Sequence, residues 1–219
     1  MSNLGYACIN TSLQANKITT NRTMRRKTFD TKGLDYVSEL ALQNVKDLKT
    51  YIHWNNEFKI KLFRLSSQIF PWMEEYEFKD LKDWDEIATL MAEIGKIATE
   101  SNQRLTMHPG PYHCLASPNP KVVERTINGL NKHAEQFDMM LFEPSHYNKI
   151  NIHVGGAYGD KKSTLKRFCE NFELLEENTK KRLVIENDDS PNEFSVKELF
   201  DGVYQHIEIP ITFDYFHHT

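Results

Sequence analysis

Along this chain, short continuous apolar runs alternate with longer stretches in which apolar residues recur every three or four positions. Short runs bounded by turn residues read as buried strands, and the longer spacing reads as amphipathic helix. The first run, residues 3–10, predicts strand one. The polar stretch from there to about Lys32 has no sustained apolar period and predicts a long loop, with room for a short helix. Leu34, Val37, Leu40, Ala41, Val45, Leu48, Ile52 and Trp54 predict a helix to about Phe58. Strand two at residues 60–65 and an aromatic loop at 66–72 follow. Asp83 can cap a helix whose inner face is Ile87, Leu90, Met91, Ile94 and Ile97.

Strand three, residues 104–107, stops at His108, where Pro109-Gly110-Pro111 forbids further ladder pairing and forces a turn. The same grammar recurs downstream. A helix beginning near residues 117–120, with Val122, Val123, Ile127, Leu130 and Phe137 inward, leads to strand four and His153. A helix over 160–177 leads to strand five, 182–186, which ends in Glu186. A last helix, 194–206, leads to strand six, 209–213, followed by Asp214.

Strictly alternating strands and helices imply a parallel sheet with its active groups at the C-terminal strand ends. An open doubly wound sheet places its ligand at one switch point, whereas here ligand-type side chains come from four successive strand ends, which favours a barrel. The expected fold is therefore an α/β TIM (β/α) barrel, a single domain over 1–219, cut short after strand six of eight.

At 219 residues, 39% hydrophobic and 26% charged, the chain can bury one sizeable core. No apolar run approaches the roughly 18 residues of a membrane helix, and no signal-peptide pattern opens the chain, so an intracellular location, in cytoplasm, nucleoid or nucleus, is expected. Cys8, Cys114 and Cys169 lack paired spacing and read as reduced thiols. The net charge of −4 argues against nonspecific nucleic-acid binding, yet Lys17, Arg22, Arg25, Arg26, Lys27 and Lys32 crowd the first loop with Asp30 as the lone acid.

A single strand-end histidine is ordinarily a hydrogen-bonded scaffold residue, Glu186 alone could cap a helix, and Asp214 alone could pair with a lysine. Together, His108, His153, Glu186 and Asp214 occupy the face where barrel enzymes place their sites, which points to a shared divalent-metal centre. Imidazole with carboxylate suits zinc, manganese or iron, and Glu186 or Asp214 is the natural bridge between two ions. Such a site supports metal-assisted phosphodiester hydrolysis, and Asp214 and His217 can serve adjacent ions. The remaining histidines, His53, His113, His133, His146 and His206, fall in predicted helices or loops and are not expected to be ligands. Arg22, Arg25, Arg26 and Lys27 read either as a solvated face or as phosphate contacts, and Tyr6, Phe70, Trp72 and Tyr112 either as core or as base-stacking groups.

The motifs Leu4-Gly5-Tyr6 with Asn10, Thr20-Asn21-Arg22-Thr23, Phe63-Arg64-Leu65-Ser66-Ser67, Met107-His108-Pro109-Gly110, Ile152 to Gly159, Glu186-Asn187-Asp188 and Asp214 to His218 resemble, in order, the ultraviolet-damage endonuclease family. The resemblance implies a TIM barrel related to endonuclease IV and the xylose-isomerase-like barrels. It also implies a DNA repair endonuclease that nicks damaged double-stranded DNA immediately 5′ of pyrimidine dimers, 6-4 photoproducts and abasic sites. The implied cofactor is a divalent metal cluster, commonly Mn2+, with Zn2+ or Mg2+ as alternatives. His108 and His153 would ligate one ion, Glu186 would bridge it to a second held by Asp214, and His217 would bind a third, with His218 its neighbour. Glu186, His108 and Asp214 form the implied catalytic set. Tyr6, Asn10, Asn21 and Arg22 would contact DNA, and Pro111-Tyr112 would wedge into the duplex.

Pro111 stands where some members carry glutamine, and Gln68 where some carry histidine, and the family's two further ligand-bearing strands are absent. With them supplied, a monomer acting on DNA and independent of membranes is expected. The competing readings are a metal-dependent sugar isomerase on the same barrel and a fragment that binds metal or DNA without cutting.

Overall fold

A computed structural model describes residues 4–217. The chain divides into two compact units, one of residues up to 107 with 135–143, the other of residues 108–134 with those from 144 onward.

In the first unit, β1 (Gly5–Ala7), β2 (Leu62–Arg64) and β3 (Arg104–Thr106) form a parallel sheet in that order, with Gly5 opposite Leu62 and Leu62 opposite Arg104. Parallel neighbours need crossovers, and helices supply them: α2 (Arg26–Glu57) after β1, and α3 (Trp84–Glu100) after β2. The loop after β1 contains a short helix, α1 (Thr11–Gln14), capped by Asn10, whose side chain accepts from Leu13 N at 3.1 Å. Helix α2 starts at Arg26, earlier than the apolar period predicts. Gly33 (φ 63°, ψ −160°) interrupts it, so the amphipathic part still begins at Leu34.

Several polar side chains on α2 are buried and tie this loop down. Asn44 accepts from Arg22 N at 3.0 Å and donates to Ile69 O at 3.0 Å, and Asp47 accepts from Thr19 N at 2.9 Å. On α3 the buried stripe is Ile87, Met91, Ile94, Gly95 and Ala98, not the expected one through Leu90 and Ile97, which are half-buried. Gly95 lies where the backbone of Met140 comes close.

In the second unit, β4 (Ile150–Ile152), β5 (Leu183–Glu186) and β6 (Ile211–Thr212) form another parallel sheet in that order, with β5 wholly buried. The helix expected over 160–177 is two, α5 (Lys161–Phe172) and α6 (Glu177–Lys180). The expected last helix consists of α7 (Val196–Leu199), a π-helical turn (Phe200–Tyr204) and α8 (Gln205–Ile207). Gly202 sits in that turn, where a Cβ would lie 2.5 Å from Leu165 Cδ1. Helix α4 (Pro120–Met139) begins in this unit and ends in the first.

The six parallel strands thus form two three-stranded sheets. Among the described residues no ladder joins β3 to β4, so the incomplete barrel expected from sequence is not one continuous six-stranded sheet. Cys8, Cys114 and Cys169 are free thiols. No helix is long and apolar enough to cross a membrane among the described residues.

Candidate metal centre

Three of the expected ligands converge in the second unit. Glu186 is the last residue of β5, His153 follows β4 directly, and His108 comes two positions after β3. His108 Nε2 lies 2.6 Å and His153 Nε2 2.9 Å from the same atom, Glu186 Oε1. The ligating atoms of the three side chains all lie within 4.8 Å of one another, and the carboxylate is buried.

The donor chemistry fits a cation. His108 Nδ1 lies 3.1 Å from the Pro109 carbonyl, which only accepts, so the Nδ1 proton points there. Its Nε2 then faces a carboxylate oxygen, and two lone pairs at 2.6 Å require a positive charge shared between them. His153 Nε2 likewise faces Glu186 Oε1, while its Nδ1 is buried 3.0 Å from Asp188 Oδ2 without the geometry of a hydrogen bond. Without an ion the charge is carried by protons. Burial alone would lower the His153 pKa, but the Glu186 carboxylate raises it above the ordinary value. Burial alone would raise Glu186, but hydrogen bonds from His108 and His153 hold its carboxyl far below the usual range. His108, His153 and Glu186 could hold a divalent ion there, which would supply the same sign of charge.

Behind His153, the Asp188 and Glu193 carboxyls are hydrogen-bonded to each other. Burial and Asp188 push the Glu193 carboxyl up, while the Glu193 hydrogen bond outweighs burial and lowers Asp188. A cavity of about 180 Å3 opens beside this pair, walled by Pro111, Cys114, His153, Gly156, Asp188 and Glu193.

The other expected ligands are placed differently. His217 gathers with Asp188 and Asp189 as a second set of convergent donors. Asp214 Oδ2 is 3.8 Å from His217 Nε2, its Oδ1 accepts from Phe216 N, and it joins neither set among the described residues. His218 lies outside the described residues. Asp188 and Asp189 carried no role in the sequence reading. The signal was their place directly after a strand-end ligand, but consecutive acids there read equally well as helix caps.

Of the candidate DNA contacts, Pro111 and Tyr112 are exposed, Tyr112 by 78%, on the stiff Pro-Gly-Pro turn. In the first unit, Arg22 pairs with Asp47 at 2.7 Å and also donates to Lys17 O, so it braces its own loop, while Asn21 accepts from the Thr19 hydroxyl. Phe70 is core and Trp72 donates to Met24 O, as the plainer reading has it.

The Tyr6 hydroxyl donates to Asn55 Oδ1 at 2.7 Å and accepts from Asn10 Nδ2 at 3.1 Å, and burial pushes its pKa up to about 12. Tyr6→Phe leaves Asn55, fully buried, without that donor, and is expected to destabilise the protein by about 1–3 kcal/mol. Urea denaturation should show a lower midpoint at an unchanged slope.

Residues 2–219 match the model of the UV-endonuclease UvdE family. The chain belongs to that family. It is 39% identical to the UV-damage endonuclease of Schizosaccharomyces pombe over 99% of this chain and 36% of that one. Against the UV DNA damage endonuclease of Clostridium perfringens it is 34% identical over 98% of this chain and 49% of that one. The chain therefore spans between about a third and two thirds of the curated relatives it matches.

The crystal structure of SacUVDE superposes with a TM-score of 0.86 at 34% identity, covering 98% of this chain and 69% of that one. A D-psicose 3-epimerase from Clostridium cellulolyticum H10, with a TM-score of 0.56 at 15% identity, over 77% of this chain and 58% of that one, shares the fold alone. The fold is thus a TIM-barrel-like α/β arrangement.

Proposed function

We propose that the chain is a DNA repair endonuclease that nicks immediately 5′ of UV photoproducts, and also at abasic sites, with a divalent ion held by His108, His153 and Glu186. The observation that carries this is the convergence of two imidazole Nε2 atoms on Glu186 Oε1, in a member of the UvdE family. A divalent ion bound there lowers the pKa of a water and offsets the charge of the phosphodiester.

The protein's own part is positional. Glu186 contributes the fixed negative charge. His108 is oriented through Nδ1 by Pro109 O, and the Asp188 carboxylate supplies negative charge 3.0 Å from His153 Nδ1. Asp214 and His217 bind further ions of the cluster, for which Mn2+ is the expected metal. Water adds to phosphorus and the 3′ oxygen leaves with a proton, giving a 3′-hydroxyl and a 5′-phosphate.

Selection of damage starts from its weak stacking. Extruding a base costs a few kcal/mol and least where the base is already damaged. Tyr112, presented on a turn that Pro109 and Pro111 stiffen, is the wedge. Pro111 lacks an N–H, so only Tyr112 can both donate and stack. Tyr6, Asn10, Asn21 and Arg22 contact the damaged strand. In this reading the two sheets belong to one TIM barrel domain that works as a monomer, and the enzyme acts inside the cell, where its DNA substrate is.

The test is incision of a duplex carrying one cyclobutane dimer beside an undamaged control, with Mn2+ or with EDTA. The expected result is a single cut 5′ of the dimer in Mn2+ alone. Equal cutting of the control, or cutting in EDTA, would overturn the proposal.

A further inference from the structure

Asn151 lies on β4 two positions before His153, so both side chains leave the same face of the strand. It is buried, only 7% exposed, and it was not singled out by its sequence context. Its amide Nδ2 donates to Glu186 Oε2, the oxygen that faces neither histidine. A carboxylate oxygen only accepts, which fixes the amide orientation and turns Asn151 Oδ1 away, buried and without a hydrogen-bond partner among the described residues.

That arrangement divides the two carboxylate oxygens between two tasks. Oε2 is held by Asn151, and Oε1 alone faces His108 and His153. We propose that Asn151 is a positioning residue of the metal centre, which stops the Glu186 carboxylate from rotating and presents one oxygen to an ion shared with the two histidines. The proposal rests on the reading of this centre as a metal site. Glu186 would then offer Oε1 to the ion, its Oε2 being engaged by the amide. An outer hydrogen bond of this kind is worth roughly 10–100-fold in metal affinity.

The test compares the full chain with Asn151→Ala and with Asn151→Leu, which removes the donor but keeps most of the volume. Mn2+ affinity is measured by electron paramagnetic resonance, and the visible spectrum of the Co2+ form reports how the carboxylate coordinates, which a merely structural role would not change. Both are read well below the unfolding temperature of each variant. The proposal expects both variants to bind Mn2+ roughly 10–100-fold more weakly and to show altered Co2+ bands. Wild-type affinity and an unchanged Co2+ spectrum in the variants would overturn the role of Asn151 and leave the metal centre standing. A wild-type chain that binds neither ion would overturn both.

Discussion

Replacing Glu186 with glutamine is expected to lower Mn2+-dependent incision by about a hundredfold or more. Glutamine keeps the shape of the side chain and removes its charge, and that charge is what His108 Nε2 and His153 Nε2 share at 2.6 and 2.9 Å. Loss of a merely supporting group around a metal costs roughly 10–100-fold, so loss of the charged ligand itself should exceed that range.

The metal-free protein carries a second signature. Glu186 has its pKa lowered from 4.5, so its contribution to stability is present above 4.5 and is lost as pH falls through the depressed folded value. His153 has its pKa raised from 6.5, so its contribution is complete below 6.5 and is lost as pH rises through the elevated folded value. The stability advantage of wild type over Glu186→Gln should therefore be greatest between pH 4.5 and 6.5 and shrink on either side. Urea denaturation in EDTA across that range measures it, and a difference that keeps growing toward alkaline pH would contradict the account.

Gly95→Ala is expected to destabilise the protein by about 2–3 kcal/mol. In the interior of a helix this change ordinarily stabilises, by up to about 1 kcal/mol. Here a Cβ at position 95 would lie 1.9 Å from Met140 O and 2.7 Å from its carbonyl carbon, both backbone atoms of the same unit. Backbone cannot rotate aside as a long side chain can, so α3 must shift and Ile94 and Ala98, buried beside it, lose packing. Urea denaturation should show a clearly lower midpoint. A midpoint equal to or above wild type would mean that α3 does not approach Met140 as closely as the structure has it.

What the sequence made legible follows from which signals are local. Runs such as Leu183-Val184-Ile185 and the abrupt turn after His108 are one-dimensional, so the strands and the ligand-type side chains at their ends could be read directly. His108, His153 and Glu186 were found because each ends or follows an apolar run. Asn151 and Asp188 were not, because a polar residue inside a short strand or among consecutive acids has several ordinary explanations. Only the folded distances show that one holds Glu186 and the other stands against His153.

Buried polar residues on α2 were hidden for a related reason: Asn44 and Asp47 look like a solvent face in a hydropathy pattern, and become core through partners more than twenty residues away, Arg22 and Thr19. On α3, side-chain size favoured Leu90 and Ile97, while the structure buries Gly95 and Ala98, and at Gly95 the close approach of the Met140 backbone requires a glycine. An incomplete barrel was inferred from convergence of strand ends; three of the four candidate side chains do converge, whereas strand pairing depends on partners that spacing alone does not specify.

Equilibrium titration of the metal-free chain with Mn2+, followed by electron paramagnetic resonance of the free ion, tests the central claim most directly when wild type and His108→Ala are compared. The account predicts that wild type binds the ion and that the variant binds it about a hundredfold more weakly or worse, by the same reasoning as for Glu186. A wild-type chain that takes up no Mn2+, or a variant that binds it as tightly, would contradict the account.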